Sequence, residues 1–190
     1  MRKTLKGLVV LSLVFGSLGI ISCKDQNEEK DEMAPEHQMH SGEDMSDEGE
    51  ETTARETEGT EFKNDKVKQA FNEYLEVKDA LVRTDASASR KAAETLQNTL
   101  SEPHPEIAEI AGKLVQTEGI NEQREIFSEL TAAMDPVLKE AISSGKIYKQ
   151  FCPMAFEGKG DYWYSTSEEI RNPYFGDKML KCGRVDETIM

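Results

Sequence analysis

The sequence predicts a mainly α fold: an antiparallel helical bundle carrying a small C-terminal β-hairpin or loop cap. Three observations carry that expectation. Apolar residues between Phe62 and Ile142 recur at three- and four-residue spacing in four runs. Short breaks rich in capping and turn residues separate the runs. From residue 146 to 184 the helical spacing is lost, and aromatic residues and glycines concentrate instead.

In the first run Val67, Phe71, Tyr74, the alkyl stem of Lys78 and Leu81 form a stripe that Ala70, Leu75 and Val82 widen. Asp85 is placed to cap a second helix, whose inward residues are Ala92, Ala93, Leu96 and Leu100. Pro103-His104-Pro105 breaks the chain, with His104 expected as a cap or surface residue at a helix start. Ile107, Ile110, Ala111, Leu114 and Val115 then mark a third helix. Asn121 is the expected N-cap of a fourth, which turns Ile126, Phe127, Leu130, Met134, Val137, Leu138, Ala141 and Ile142 inward. Pro136 falls inside this run and predicts a kink there, or a new helix started by Asp135-Pro136. Ser143-Ser144-Gly145 ends it. Four amphipathic helices with short links make an antiparallel bundle the expected arrangement. Beyond them, Asp161-Tyr162-Trp163-Tyr164-Ser165 has strand content after a Gly158-Lys159-Gly160 turn.

The start of the chain has a different character. Arg2, Lys3 and Lys6 precede an apolar run from Leu8 to Ile21, which is short for a membrane span and has signal-peptide length. It ends in Ile20-Ile21-Ser22-Cys23, an aliphatic residue three before a cysteine and a small residue just before it. Residues 1–22 therefore read as a lipoprotein signal peptide, with Cys23 as the lipidation site and the membrane reached through that lipid. The expected location is the cell envelope, as an outer-membrane lipoprotein on the periplasmic side or the cell surface. Lys24 followed by the acidic Asp25 to Glu29 stretch resembles lipoprotein surface-export signals.

Of the net charge of −14, residues 1–23 contribute +3, residues 24–61 contribute −12, from 15 Asp/Glu against 3 Lys/Arg, and residues 62–190 only −5. A segment so acidic and so poor in aliphatic and aromatic residues has little apolar area to bury, so 23–61 reads as a disordered tether. Its charge argues against nucleic acid as a partner. The domain reading is thus signal 1–22, tether 23–61, bundle with cap 62–186 and tail 187–190.

Lipidation of Cys23 leaves an even pair, Cys152 and Cys182, in a compartment that permits disulfides. Cys152-Pro153-Met154 and Met179-Leu180-Lys181-Cys182 each join a thiol to a thioether. Soft sulfur donors select Cu(I), so Cys152, Met154, Met179 and Cys182 are candidate metal ligands. A Cys152–Cys182 disulfide closing the cap on itself, with both methionines as core filler, is the competing reading. The tether adds a weaker set: His37, Met39 and His40, flanked by Met33 and Met45, a mixture suited to copper capture. No Ser-His-Asp grouping, phosphate-binding Gly-rich loop or paired CxxC is present, and no pair of carboxylates stands out, so an enzyme is not expected.

The stretch from Tyr148 through Cys152-Pro-Met-Ala-Phe, and from Glu169-Ile-Arg-Asn-Pro-Tyr-Phe-Gly176 to Met179-Leu-Lys-Cys182-Gly, resembles the domain-of-unknown-function family numbered 3347. Tyr74 to Leu81 and Gln123-Arg124-Glu125 match it in style, and the resemblance spans about residues 62–186. The family is found in envelope proteins of Bacteroidota-type bacteria, as lone lipoproteins and as C-terminal extensions of heavy-metal efflux adaptors. The resemblance implies that Cys152, Met154, Met179 and Cys182 form a sulfur cluster, and it implies an efflux adaptor or pump as partner. Family members often carry histidines around the Gln-Arg-Glu stretch, where this chain has Asn121, Glu122 and Ile126.

Overall fold

The computed structural model describes residues 59–190. The signal, Cys23 and the residues Met33, His37, Met39, His40 and Met45 lie outside the described residues. The described chain begins with a short strand β1 (Glu61–Phe62) and continues through helices α1 (Asp65–Val82), α2 (Ala86–Leu100), α3 (Pro105–Gln116) and α4 (Ile120–Ala141). Strand β2 (Ile142–Ser144) follows directly and pairs antiparallel with β1. Strands β3 (Ile147–Cys152), β4 (Asp161–Ser165) and β5 (Arg184–Ile189) then form an antiparallel sheet in the order β4-β3-β5.

Local chemistry explains most boundaries. Asn64 caps α1 by accepting the Lys66 N–H at 2.8 Å. Asp85 caps α2 as expected, its Oδ1 taking the N–H groups of Ser87 and Ala88 at 3.1 and 2.9 Å. His104 precedes α3 at the N-cap position, with Pro105 at the first helical position, where a missing N–H costs nothing.

Two expectations are corrected. Helix α4 starts after Gly119 rather than at Asn121, because the Gly119 carbonyl already accepts the Gln123 N–H at 2.9 Å. The Asn121 side chain instead accepts from Arg124 at 3.3 Å. The helix also continues through Pro136, so Asp135-Pro136 starts no separate element. The carbonyl that Pro136 leaves without an intrahelical donor belongs to Ala132, which lies on the exposed face.

Short links make consecutive helices neighbours, and α4 returns to pack on α1. Every residue of the first two predicted stripes is buried, from Val67 to Val82 and from Ala92 to Leu100. In the third and fourth runs Ile110, Val115, Ile126 and Val137 are only partly buried and pack at the rim of the core. Phe71 stacks on Tyr74 and Tyr74 on Phe127, with centroids 6.1 and 5.1 Å apart. Tyr174 meets Phe127 at 6.1 Å and Trp163 at 6.0 Å, so one aromatic chain runs from the bundle into the cap.

The cap holds more sheet than a hairpin. Strand β5 pairs with β3 from Ile147↔Ile189 to Phe151↔Arg184 and so extends past residue 186, into the stretch read as a tail. Its side chains are mostly exposed, which hides the strand from a hydrophobic-pattern reading. Among the described residues no helix is long and apolar enough to cross a membrane.

Candidate functional site

The two cysteines reach each other from unlike supports. Cys152 ends β3, fully buried, and is the register partner of Asp161 on β4. Cys182 sits between a 3-10 turn (Gly176–Met179) and β5, half-buried. Both are free thiols, and their sulfurs lie 3.0 Å apart. The hydrogen bond with the Cys152 thiol pushes the Cys182 thiol up in pKa, burial adds to this, and a Met154 backbone N–H directed at Cys182 partly offsets both.

The structure therefore brings together two of the four sulfur residues through side chains, and links the methionines through backbone. Met154 contributes that N–H while its own residue is 52% exposed. Met179, partly buried, accepts the Cys182 N–H on its carbonyl at 3.0 Å. Among the described residues no group of three or more His, Cys, Asp or Glu is arranged to hold a metal ion. His104 Nδ1 lies 3.6 Å from a Glu106 carboxylate oxygen.

The 3.0 Å spacing lies between two chemical end states. A disulfide brings sulfurs to about 2.05 Å. Two thiolates on one tetrahedral ion, each at about 2.3 Å from it, stand about 3.8 Å apart. Either state is reached by a side-chain adjustment of about 1 Å. The donor chemistry fits a soft ion: two thiols, with thioethers next to them in sequence.

Turn chemistry builds the loop that presents Cys182. Beyond Cys152, Phe156 and Glu157 both take left-handed conformations (φ 48° and 59°) ahead of Gly158 and Gly160, which turns the chain back into β4. On the other side, Asn172 is fully buried and accepts the Tyr174 N–H on its own side chain at 2.9 Å. Its Nδ2 donates to the Cys182 carbonyl at 2.9 Å. Next to it, Arg124 on α4 donates from Nε to the Pro173 carbonyl at 2.9 Å and reaches the Leu81 carbonyl and Thr84 Oγ1 at 3.4 and 3.2 Å. Burial lowers the Arg124 pKa.

Neither Asn172 nor Arg124 stands out as a site residue by residue type. The Asn172-Pro173 dipeptide is a turn signal and marks the place, but not the partner. Within Gln123-Arg124, Gln123 is also a clamp. Its Nε2 donates to the Thr117 and Ala86 carbonyls at 2.7 and 3.1 Å.

The comparisons with curated proteins and with solved structures return no match. The family match ends before Cys152, so it covers the helices and not the sulfur motifs that first suggested the likeness. Residues 70–145 match the model described as "Protein of unknown function (DUF3347)", so the helical part of this chain is similar to that family.

Proposed function

We propose that this protein is a lipid-anchored, non-enzymatic protein of the cell envelope that binds a soft metal, Cu(I) foremost, at Cys152 and Cys182. Met154 and Met179 serve as additional sulfur donors. The tract around His37, Met39 and His40 captures metal and raises its concentration near the cap. The lipid on Cys23 holds the chain at the outer membrane, where a heavy-metal efflux adaptor or pump is the partner.

The observation that supports this reading is the pair of thiols 3.0 Å apart, one buried and one half-buried, each two or three residues from a methionine. Binding requires both thiols to lose protons, so it strengthens as pH rises.

The same spacing also favours a second reading, in which the pair closes to a disulfide and the protein is a structural or interaction module docking on an envelope complex. One experiment separates the two. The full mature chain, isolated from the envelope, is titrated for thiols and then challenged with Cu(I) under anaerobic conditions against a chromogenic chelator. Two titratable thiols and a Cu(I) affinity that falls at least 100-fold in Cys152→Ser, with a smaller fall in Met179→Leu, support the metal reading. Unchanged affinity in both variants sinks it. A quantitative disulfide that persists under mild reduction supports the second.

A further inference from the structure

We infer that Asn172 is the positioning residue of the thiol pair, setting where Cys182 stands opposite Cys152. The inference rests on the reading above in taking that pair as the working site.

The need for such a residue follows from the two supports. Cys152 is held in a ladder, with β4 on one side of β3 and β5 on the other. Cys182 lies in a loop, just before β5 begins at Arg184. A loop thiol left to itself samples many positions, and the effective concentration of one thiol at the other falls accordingly. Beside the Met179 carbonyl, which accepts the Cys182 N–H at 3.0 Å, Asn172 supplies a restraint from inside the same loop. Its N–H donates to the Leu180 carbonyl at 2.9 Å, and its carbonyl accepts the Gly176 N–H at 3.1 Å. Its side chain accepts from Tyr174 and donates to Cys182, both at 2.9 Å.

Backbone and side chain of one buried residue thus tie together positions 174, 176, 180 and 182. Arg124 then fastens the neighbouring Pro173 carbonyl to α4, so the loop is referenced to the bundle. The Asn172–Cys182 bond is the link in this set that reaches the cysteine itself.

The test is the equilibrium of the full mature chain with glutathione, read by alkylation and mass. Glutathione disulfide takes two electrons and two protons from the cysteine thiols, giving the Cys152–Cys182 disulfide and two reduced glutathiones. Asn172→Asp keeps the acceptor for Tyr174 and removes the donor to Cys182, and Asn172→Ala removes both. Each is expected to disfavour the protein disulfide at least tenfold, a shift of about 30 mV. Tyr74→Phe, which removes a bond from the bundle to Tyr164 on β4 but no contact of the 172–182 loop, is expected to leave that equilibrium within twofold of wild type.

Asn172 variants within twofold of wild type, or a shift in Tyr74→Phe as large as theirs, overturn the inference. Failure of both Asn172 variants to fold also counts against it, since the residue would then serve the fold and not the pair. Cu(I) affinity of the same proteins separates this outcome from the fate of the metal reading. A glutathione shift without Cu(I) binding in any protein leaves the positioning role standing and removes the metal. Cu(I) binding that is equal in wild type and Asn172 variants, with no glutathione shift, does the reverse.

Discussion

The Tyr74 hydroxyl, on the first helix, accepts the backbone N–H of Tyr164 on the cap at 3.1 Å, and lies 2.9 Å from Thr131 Oγ1 on the fourth helix. One fully buried oxygen thus ties its own helix to two elements, at residues 57 and 90 positions further along the chain. Burial raises the Tyr74 pKa well above its usual value, so the phenol is neutral around pH 7.

Tyr74→Phe keeps the ring stacked on Phe127 and deletes only this oxygen. The Tyr164 N–H and the Thr131 hydroxyl are then buried with one partner fewer, each costing about 1–3 kcal/mol where no water replaces it. A loss of about 2 kcal/mol in urea denaturation is expected, with the slope unchanged. A change below about 0.5 kcal/mol would show that the contact carries little.

Asp135 makes stability depend on acid. Its burial works to raise its pKa, but hydrogen bonds from Tyr164 and Lys149 and the charges of Lys149 and Lys139 outweigh this, and the net shift is downward. A carboxyl with a lower pKa in the folded state stabilises the fold above its unfolded value of about 4, and that contribution disappears as pH falls through the folded value. Melting temperatures measured from pH 7 to pH 3 should therefore fall more steeply in wild type than in Asp135→Asn. Parallel curves would remove Asp135 from the acid transition.

Arg124 is a cation bound by neutral acceptors: the Pro173 and Leu81 carbonyls, Thr84 Oγ1 and Asn121 Oδ1. Two of these belong to the C-terminal end of α1 and the turn after it, where the carbonyls favour positive charge. Arg124→Ala takes the Nε–H donor from the Pro173 carbonyl and one of the donors from Leu81, whose carbonyl keeps the Thr84 N–H, and is expected to cost about 2–4 kcal/mol. Chemical denaturation measures it, and Arg124→Lys should restore only part, since an ammonium lacks the planar fork.

Gly145 closes the junction between β2 and β3 at φ +80°, and a Cβ there would stand 1.9 Å from the Gly59 carbonyl oxygen. The obstacle is backbone, which cannot swing aside as a side chain can. Gly145→Ala is expected to destabilise by about 2–4 kcal/mol and to loosen the β1–β2 clasp, visible as faster amide exchange at Lys63, whose N–H donates to the Ala141 carbonyl at 2.7 Å. Unchanged exchange there would contradict it.

The four helices, the Asp85 cap, strand β4 and the candidate cysteines were legible from residue order alone. Helical spacing and side-chain capping are set within a few residues, so local sequence suffices to find them. Strand β5 was not legible, because its residues are nearly all exposed and its pairing with β3 is a long-range backbone event. The same holds for the continuity of α4 through Pro136, which depends on where Ala132 faces. It holds most of all for the site. The sequence by itself determined that two thiols, each beside a methionine, belong to one non-helical segment. Only the tertiary structure decided that they stand 3.0 Å apart, one on a strand and one on a loop closed by Asn172. That distance is a sum of ladder, turn and buried amide contacts spread over 30 residues, and no local pattern encodes such a sum.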